Sequence, residues 1–252
     1  MKLTGNTILI IGGTSGIGLA LAEAFESRGN TVVIAGRRRE RLDEIKTAYP
    51  RVEGFALDVD SPEAISAFAA DIRKRFPALN VLVNNAGISR SEDLSSSKDW
   101  LGVAESVIST NILGVLRVTA ELLPLLAGQS HSTVITTTSG LAFVPRSAYP
   151  TYCASKAFLH SWLQSLRVQL RTSSIEVLEL APPYVQTELA GAAQAIDPNA
   201  MPLADYIAEV MDLLGHEDHP DGEILVERVR ALRTAEKGGR YGQIFASMNS
   251  LV

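Results

Sequence analysis

Thr7-Ile8-Leu9-Ile10-Ile11-Gly12-Gly13-Thr14-Ser15-Gly16-Ile17-Gly18 is the stretch from which the architecture can be read. Its aliphatic run is apolar on both faces, as in a parallel strand covered on each side by helices. From Gly12 the run passes into a glycine-rich turn, and at Gly16 a helical pattern opens. Glycines here remove the Cβ atoms that would keep backbone N–H groups away from a phosphate. The start of a helix adds a partial positive charge. Gly12, Thr14, Ser15, Gly16, Ile17 and Gly18 are therefore candidate cofactor-binding residues.

Six further short runs rich in β-branched residues follow at 31–35, 52–57, 80–83, 132–137, 175–180 and 223–226. Helix-length segments at 16–28, 38–48, 62–76, 98–126, 150–171, 203–214 and 229–236 alternate with them. This alternation predicts an α/β chain: a doubly wound Rossmann fold with a seven-stranded parallel sheet and helices on both faces. Ser61-Pro62 reads as an N-cap and first-turn pair, and Gly29 as a residue just past a helix end. No repeat, low-complexity tract or linker interrupts residues 1–252, so they read as one domain. The least regular part, 181–202, reads as a mobile excursion, and 181–214 as a substrate-binding loop.

The chain has 252 residues, 46% of them hydrophobic and 20% charged, with a net charge of -5. This excludes a disordered chain and is the wrong sign for a nucleic-acid partner. The apolar runs are strand-sized, short of the ~20 residues that span a bilayer. No signal peptide is legible, and the last three residues, Ser250-Leu251-Val252, do not form a peroxisomal tripeptide. One cysteine, Cys153, allows no intrachain disulfide. The expectation is a cytoplasmic protein acting on a small molecule, with neither membrane nor nucleic acid as partner.

The second strand ends in Gly36, where an acid would bind a ribose 2′-hydroxyl, and continues into Arg37-Arg38-Arg39-Glu40-Arg41. Arginines there accept a 2′-phosphate, which predicts NADP(H), with Arg37 the first candidate and Arg38 the second. Tyr152 and Lys156, four residues apart, share a helix face. A tyrosine is a poor general acid–base near neutral pH unless a nearby cation favours its phenolate, and the lysine supplies one. Ser139 follows a strand at the usual ligand edge, where its hydroxyl can donate to a carbonyl oxygen.

Together these residues resemble the short-chain dehydrogenase/reductase family. The family's glycine turn matches residues 11–18, and its adenine-contacting aspartate matches Asp58, followed by Val59. Its Asn-Asn-Ala-Gly motif is Asn84-Asn85-Ala86-Gly87, and its helix asparagine is Asn111. Its catalytic serine, tyrosine and lysine match Ser139, Tyr152 and Lys156. The later segments 180–187 and 222–229 resemble an NADP-preferring branch of DltE-like bacterial and fungal oxidoreductases.

The resemblance implies hydride transfer between nicotinamide and a carbonyl or alcohol, with Asn111, Ser139, Tyr152 and Lys156 catalytic. Tyr152 would donate the proton and Ser139 would hold the reacting oxygen. Lys156 would hold the ribose and lower the tyrosine pKa, and Asn111 would anchor a water at a helix kink. Asn85, Ala86, Gly87, Tyr152, Lys156, Pro182, Val185 and Thr187 would join the cofactor contacts. A homodimer or homotetramer through the helices bearing Asn111 and Tyr152 is implied too. Two departures bear on this: Ile11 replaces the family threonine, and Pro183 the glycine after the sixth strand.

Leu141, Phe143, Val144, Arg146, residues 89–94, Tyr184, Leu189 and Met201 are candidates for the substrate wall. Their apolar majority predicts a hydrophobic ketone or aldehyde. No metal site is expected, because His216 and His219, among Glu217, Asp218 and Asp221, lack a firm third ligand. His160 reads as a packing or subunit-contact residue, and Cys153 as a small space-filler. Reduction of a C=N or C=C bond, and a nucleotide-binding regulator that has lost turnover, are the alternatives.

Overall fold

The computed structural model describes residues 1–95, 99–216, 219 and 221–249. The expected helix start at Lys98, the acidic neighbours Glu217 and Asp218, and the terminal tripeptide lie outside them. Seven parallel strands form one sheet in the order β3-β2-β1-β4-β5-β6-β7. They are β1 (Thr7–Ile11), β2 (Thr31–Gly36), β3 (Val52–Ala56), β4 (Val81–Asn84), β5 (Ser132–Thr137), β6 (Ile175–Leu180) and β7 (Glu223–Ile224). From β1 the chain winds outward to β3, then returns to place β4 on the other side of β1. That reversal opens a crevice at the carboxyl ends of β1 and β4, where such sheets bind ligands.

Two apolar layers cover the sheet. Ile8, Ile10, Val32 and Ile34 pack on one face with Leu21 and Phe25 of α1 (Gly16–Glu26) and Tyr206 and Val210 of α8 (Leu203–Leu214). Leu9, Val33 and Leu82 pack on the other with Ile65 and Ile72 of α3 (Pro62–Arg75) and Val118 and Leu122 of α5 (Gly114–Ala127). Successive strand residues thus alternate between two buried faces, which explains why the strands show no polar alternation. The helix ends follow the expected chemistry. Ser61 accepts from the Ala64 amide at 3.1 Å with Pro62 in the first turn, and Gly29 is left-handed at φ 82°.

Four features differ from the sequence reading. The single helix expected from 98 to 126 is α4 (Trp100–Ile108), a π-helical turn (Ser109–Leu113) and α5. The combined span Trp100–Ala127 is also long and apolar enough to cross a membrane, although its apolar residues form no unbroken run. Here Val107, Val118, Leu122 and Leu126 bury its inner side in the fold, as a core helix does. A short helix, α7 (Ala192–Ala195), lies within the excursion after β6, and helix α10 (Tyr241–Asn249) ends the described chain. No side chain of α10 is buried, yet Asn249 donates to the Pro145 carbonyl at 3.1 Å and accepts from the Ser147 amide. The remaining helices are α2 (Arg39–Ala48), α6 (Pro150–Leu170) and α9 (Glu227–Arg233).

Candidate active site

The turn after β1 and the turn after β4 interlock. A Cβ on Gly12 would lie 2.7 Å from the Ala86 backbone, and one on Gly18 would lie 2.2 Å from the Gly12 carbonyl oxygen. Gly12 also has φ +81°, a left-handed conformation that suits glycine. Asn85 locks the pair: its Nδ2 donates to the Gly12 carbonyl at 3.2 Å, its amide to the Ile11 carbonyl at 3.0 Å, and its Oδ1 accepts from Thr137 at 3.1 Å. These bonds hold the turn where Ile11 lacks the family's hydroxyl.

The first turn of α1 has no side-chain cap at Ser15 and no acidic residue. Its amides are left for an external acceptor, as a pyrophosphate would be. Arg37 and Arg38 are both exposed, and Arg38 leans over this turn, donating to Ser15 at 2.7 Å and Thr14 at 3.3 Å. Asp58 is exposed after β3, and Val59 packs beneath Gly114. The residues present therefore fit the pyrophosphate of a dinucleotide, with Arg38 beside it.

Tyr152 and Lys156 lie on α6, both buried, with Lys156 Nζ 5.7 Å from the tyrosine ring centroid. Lys156 Nζ donates to the Thr137 carbonyl at 2.8 Å. Ser139 caps a short 3₁₀ turn, its Oγ accepting from the Leu141 amide at 3.1 Å, and its hydroxyl lies beside the Tyr152 phenol. Burial pushes the tyrosine up to about 12, against the lowering effect of Ser139. The phenol is thus protonated and able to donate near neutral pH. The resemblance implies a phenol lowered by Lys156; here burial raises it instead.

Burial also pushes Lys156 down to about 8, while the charge of Glu179 acts in the opposite direction. Asn111, fully buried in the π turn, accepts from the Ile88 amide at 2.8 Å and donates to the Ile88 carbonyl at 3.0 Å and to Ser155 at 3.1 Å. Gly87 lets it approach: a Cβ there would lie 3.3 Å from Asn111 Oδ1 and 3.6 Å from Lys156 Nζ. Asn111, Ser139, Tyr152 and Lys156 thus gather at one end of the sheet, beside the turn of Asn85, Ala86 and Gly87.

The segment after β6 is stitched down along its length. Pro182 accepts from the Gly140 amide at 2.8 Å, and Val185 forms a parallel bridge with Met201. Gln194, which the sequence reading missed, donates to the Val185 carbonyl at 2.8 Å and to Thr187 at 3.2 Å, and accepts from the Ala190 amide. Pro183 thus leaves β6 into an internally bonded segment, and Thr187 faces Gly16 across the glycine turn. Of the expected substrate wall, Val144 and Met201 are buried in the interior and Glu92 is bonded to Thr151. Leu141 and Phe143 are half-buried, and Arg146, Tyr184 and Leu189 are exposed.

His160 packs edge-on against Phe143, in keeping with the expected packing role, and also has a polar partner. Its Nδ1 lies 2.9 Å from the fully buried Glu179, which accepts from Thr138 at 2.7 Å as well. Together with Glu223 these two residues offer three ligand atoms within 4.8 Å of one another. A glutamate inside an apolar strand was the available signal, since a buried carboxylate requires partners.

The model of the short chain dehydrogenase family matches residues 6–197. The chain belongs to that family. Across 99% of both chains, this short chain dehydrogenase is 39% identical to the uncharacterized oxidoreductase DltE of Bacillus subtilis strain 168. A Burkholderia cenocepacia short chain dehydrogenase in complex with NADP shares its fold at a TM-score of 0.83, with 22% identity and 98% and 99% of the two chains covered. A Sphingobium yanoikuyae short-chain dehydrogenase in complex with NADPH aligns at 0.81, with 25% identity and 95% of each chain covered. The family assignment makes the chain an oxidoreductase with a nicotinamide cofactor.

Proposed function

We propose that this short chain dehydrogenase is an NADPH-dependent reductase of a carbonyl group, the reverse reaction being oxidation of the corresponding alcohol. The convergence of Ser139, Tyr152, Lys156 and Asn111 beside an uncapped, glycine-lined helix start carries the reading. Gly12, Thr14, Ser15, Gly16, Ile17 and Gly18 would hold the pyrophosphate, Arg38 with Arg37 the 2′-phosphate, and Asp58 with Val59 the adenine. Asn85, Ala86, Gly87, Pro182, Val185 and Thr187 would line the nicotinamide half. A bound NADPH supplies the hydride.

The chain's own residues supply the rest. Tyr152 donates its proton to the forming alkoxide, and Ser139 donates a hydrogen bond to the same oxygen. The Lys156 ammonium stabilises the phenolate left behind, and Asn111 fixes the backbone beside that lysine. The half-buried Leu141 and Phe143 and exposed Leu189 support a hydrophobic ketone or aldehyde, which residues 181–214 would cover as part of one catalytic domain. The buried free thiol of Cys153 suits a reducing, cytoplasmic setting. Leu101, Ile108 and Leu113 on α4 and the π turn, with Phe158 on α6, leave apolar surface exposed. That surface supports a homodimer or homotetramer, which light scattering on the purified chain tests.

Loss of NADPH absorbance with a panel of ketones, aldehydes, imines and enones tests the activity. The expected result is turnover of carbonyls, reduced at least ~100-fold in Tyr152→Phe. Turnover confined to imines or enones overturns the substrate class, and NADPH binding without turnover favours a regulator. For the cofactor, Arg38→Ala is expected to weaken NADPH at least ~10-fold and leave NADH unchanged. Equal losses for both would remove the 2′-phosphate assignment.

A further inference from the structure

Glu179 stands on β6 with no exposed surface, and its carboxylate is held by three side chains. His160 Nδ1 lies at 2.9 Å, the Thr138 hydroxyl donates at 2.7 Å, and Arg167 Nη2 lies at 3.5 Å. Burial works to raise this carboxylate, yet the hydrogen bond and charge from His160, with Thr138 and Arg167, hold it below the usual range. It is therefore ionised at neutral pH.

The network runs toward the catalytic lysine. Thr138, bonded to Glu179, follows Thr137, whose carbonyl accepts from Lys156 Nζ at 2.8 Å. The charged and titratable groups around Glu179 are Lys156, His160 and Arg167 on α6, Glu223 on β7 and Arg233 on α9. Arg233 is bidentate to Glu223 at 2.7 and 2.9 Å, so those two offset each other. Gln164 Nε2 lies 2.9 Å from His160 Nε2. Arg167 directs its other hydrogen bonds to the Val177 and Gly222 carbonyls. Each of the two carboxylates already has a guanidinium beside it. A divalent cation held by His160, Glu179 and Glu223 would have to displace both arginines.

We propose that Glu179 is a positioning residue for Lys156. Acting through Thr138 and Thr137, its buried carboxylate fixes the ammonium opposite Tyr152 and keeps it charged in a site that desolvates it. Glu179 touches neither substrate nor cofactor. The assignment rests on the reading of Tyr152 and Lys156 as the proton-transfer pair.

The test follows the protonation of Lys156 itself. The protein carries six lysines, so [13Cε]lysine labelling gives few signals, and Lys156→Met identifies the one required. The Lys156 midpoint is expected to fall by about one pH unit in Glu179→Gln, which keeps the shape and removes the charge. It should remain near the wild-type value in Glu179→Asp. Arg167→Gln removes a positive charge and should move it upward by roughly half a unit. A folded Glu179→Gln protein with an unmoved midpoint overturns the proposal, as does an Asp variant that titrates like the Gln variant. Should Glu179→Gln fail to fold, Arg167→Gln decides, and a midpoint that stays or falls there overturns the proposal.

Turnover gives a second readout. In Glu179→Gln the alkaline limb of kcat for carbonyl reduction should move down with the midpoint, while KM for NADPH stays within about twofold. A purely structural role would lower kcat equally at every pH and leave the limb in place. A wild-type protein that reduces no carbonyl overturns the proposed function, while the titration still judges Glu179.

Discussion

A single methyl group separates Gly18 from alanine, and the site has no room for it. The added carbon would sit 2.2 Å from the Gly12 carbonyl and 2.6 Å from Asn85 Nδ2, so the turns after β1 and β4 would have to part. Gly18→Ala is expected to cost about 1–3 kcal/mol of stability through overpacking. It should also weaken NADPH at least ~10-fold, as checked by denaturant unfolding and fluorescence titration. By contrast, Gly102 has open space where its Cβ would go, and it lies within α4. Gly102→Ala should therefore stabilise the protein by roughly 0.5–1 kcal/mol through helix propensity. The glycines of the turn were legible from the sequence because their spacing is local. Arg38 was ranked behind Arg37, since no spacing rule tells which of two neighbouring side chains leans back over a turn. The partnership of Glu179 with His160 and Thr138 joins three elements that only the folded sheet brings together.

At the level of elements, strand positions were read to within a residue or two because each is an apolar run bounded by turns. The π turn leaves no period in the sequence, and only the resemblance implies a kink at Asn111. Its effect is to bury Asn111 against the Ile88 backbone and Ser155. The excursion after β6 looked mobile because its Ala/Gly-rich middle carries no periodicity. Part of its order comes from one side chain, Gln194, that bonds three positions. Gln194→Ala leaves the Val185 carbonyl and Ala190 amide without these partners, at an expected cost of about 1–3 kcal/mol. Limited proteolysis between 186 and 201 should accelerate. KM for the carbonyl substrate should rise several-fold, with Tyr152 chemistry unchanged.

Across the whole molecule, the candidate cofactor crevice is formed by β1 and β4, adjacent in the sheet and 73 residues apart at the paired Ile11 and Asn84. A ligand bridging their turns stabilises the folded state as a unit. At a hundredfold excess over Kd, NADPH should add about 2.7 kcal/mol, which for a chain of this size raises Tm by roughly 5–10 °C. Gly18→Ala should lose most of that rise in the same thermal scan.

The bond from Asn249 back to Pro145 joins positions 104 residues apart. Contacts across such separations close late in folding. This one rests on polar atoms of a helix with no buried side chain, so it belongs among the first to open. The stretch 145–147, between Ser139 and Tyr152, is therefore expected to lose these bonds locally before the sheet opens. In a hydrogen-exchange experiment the amides of 146–148 should exchange by local fluctuation, while those of β1 and β4 wait for global unfolding. The substrate side of the site can then breathe on a timescale that leaves the cofactor crevice intact.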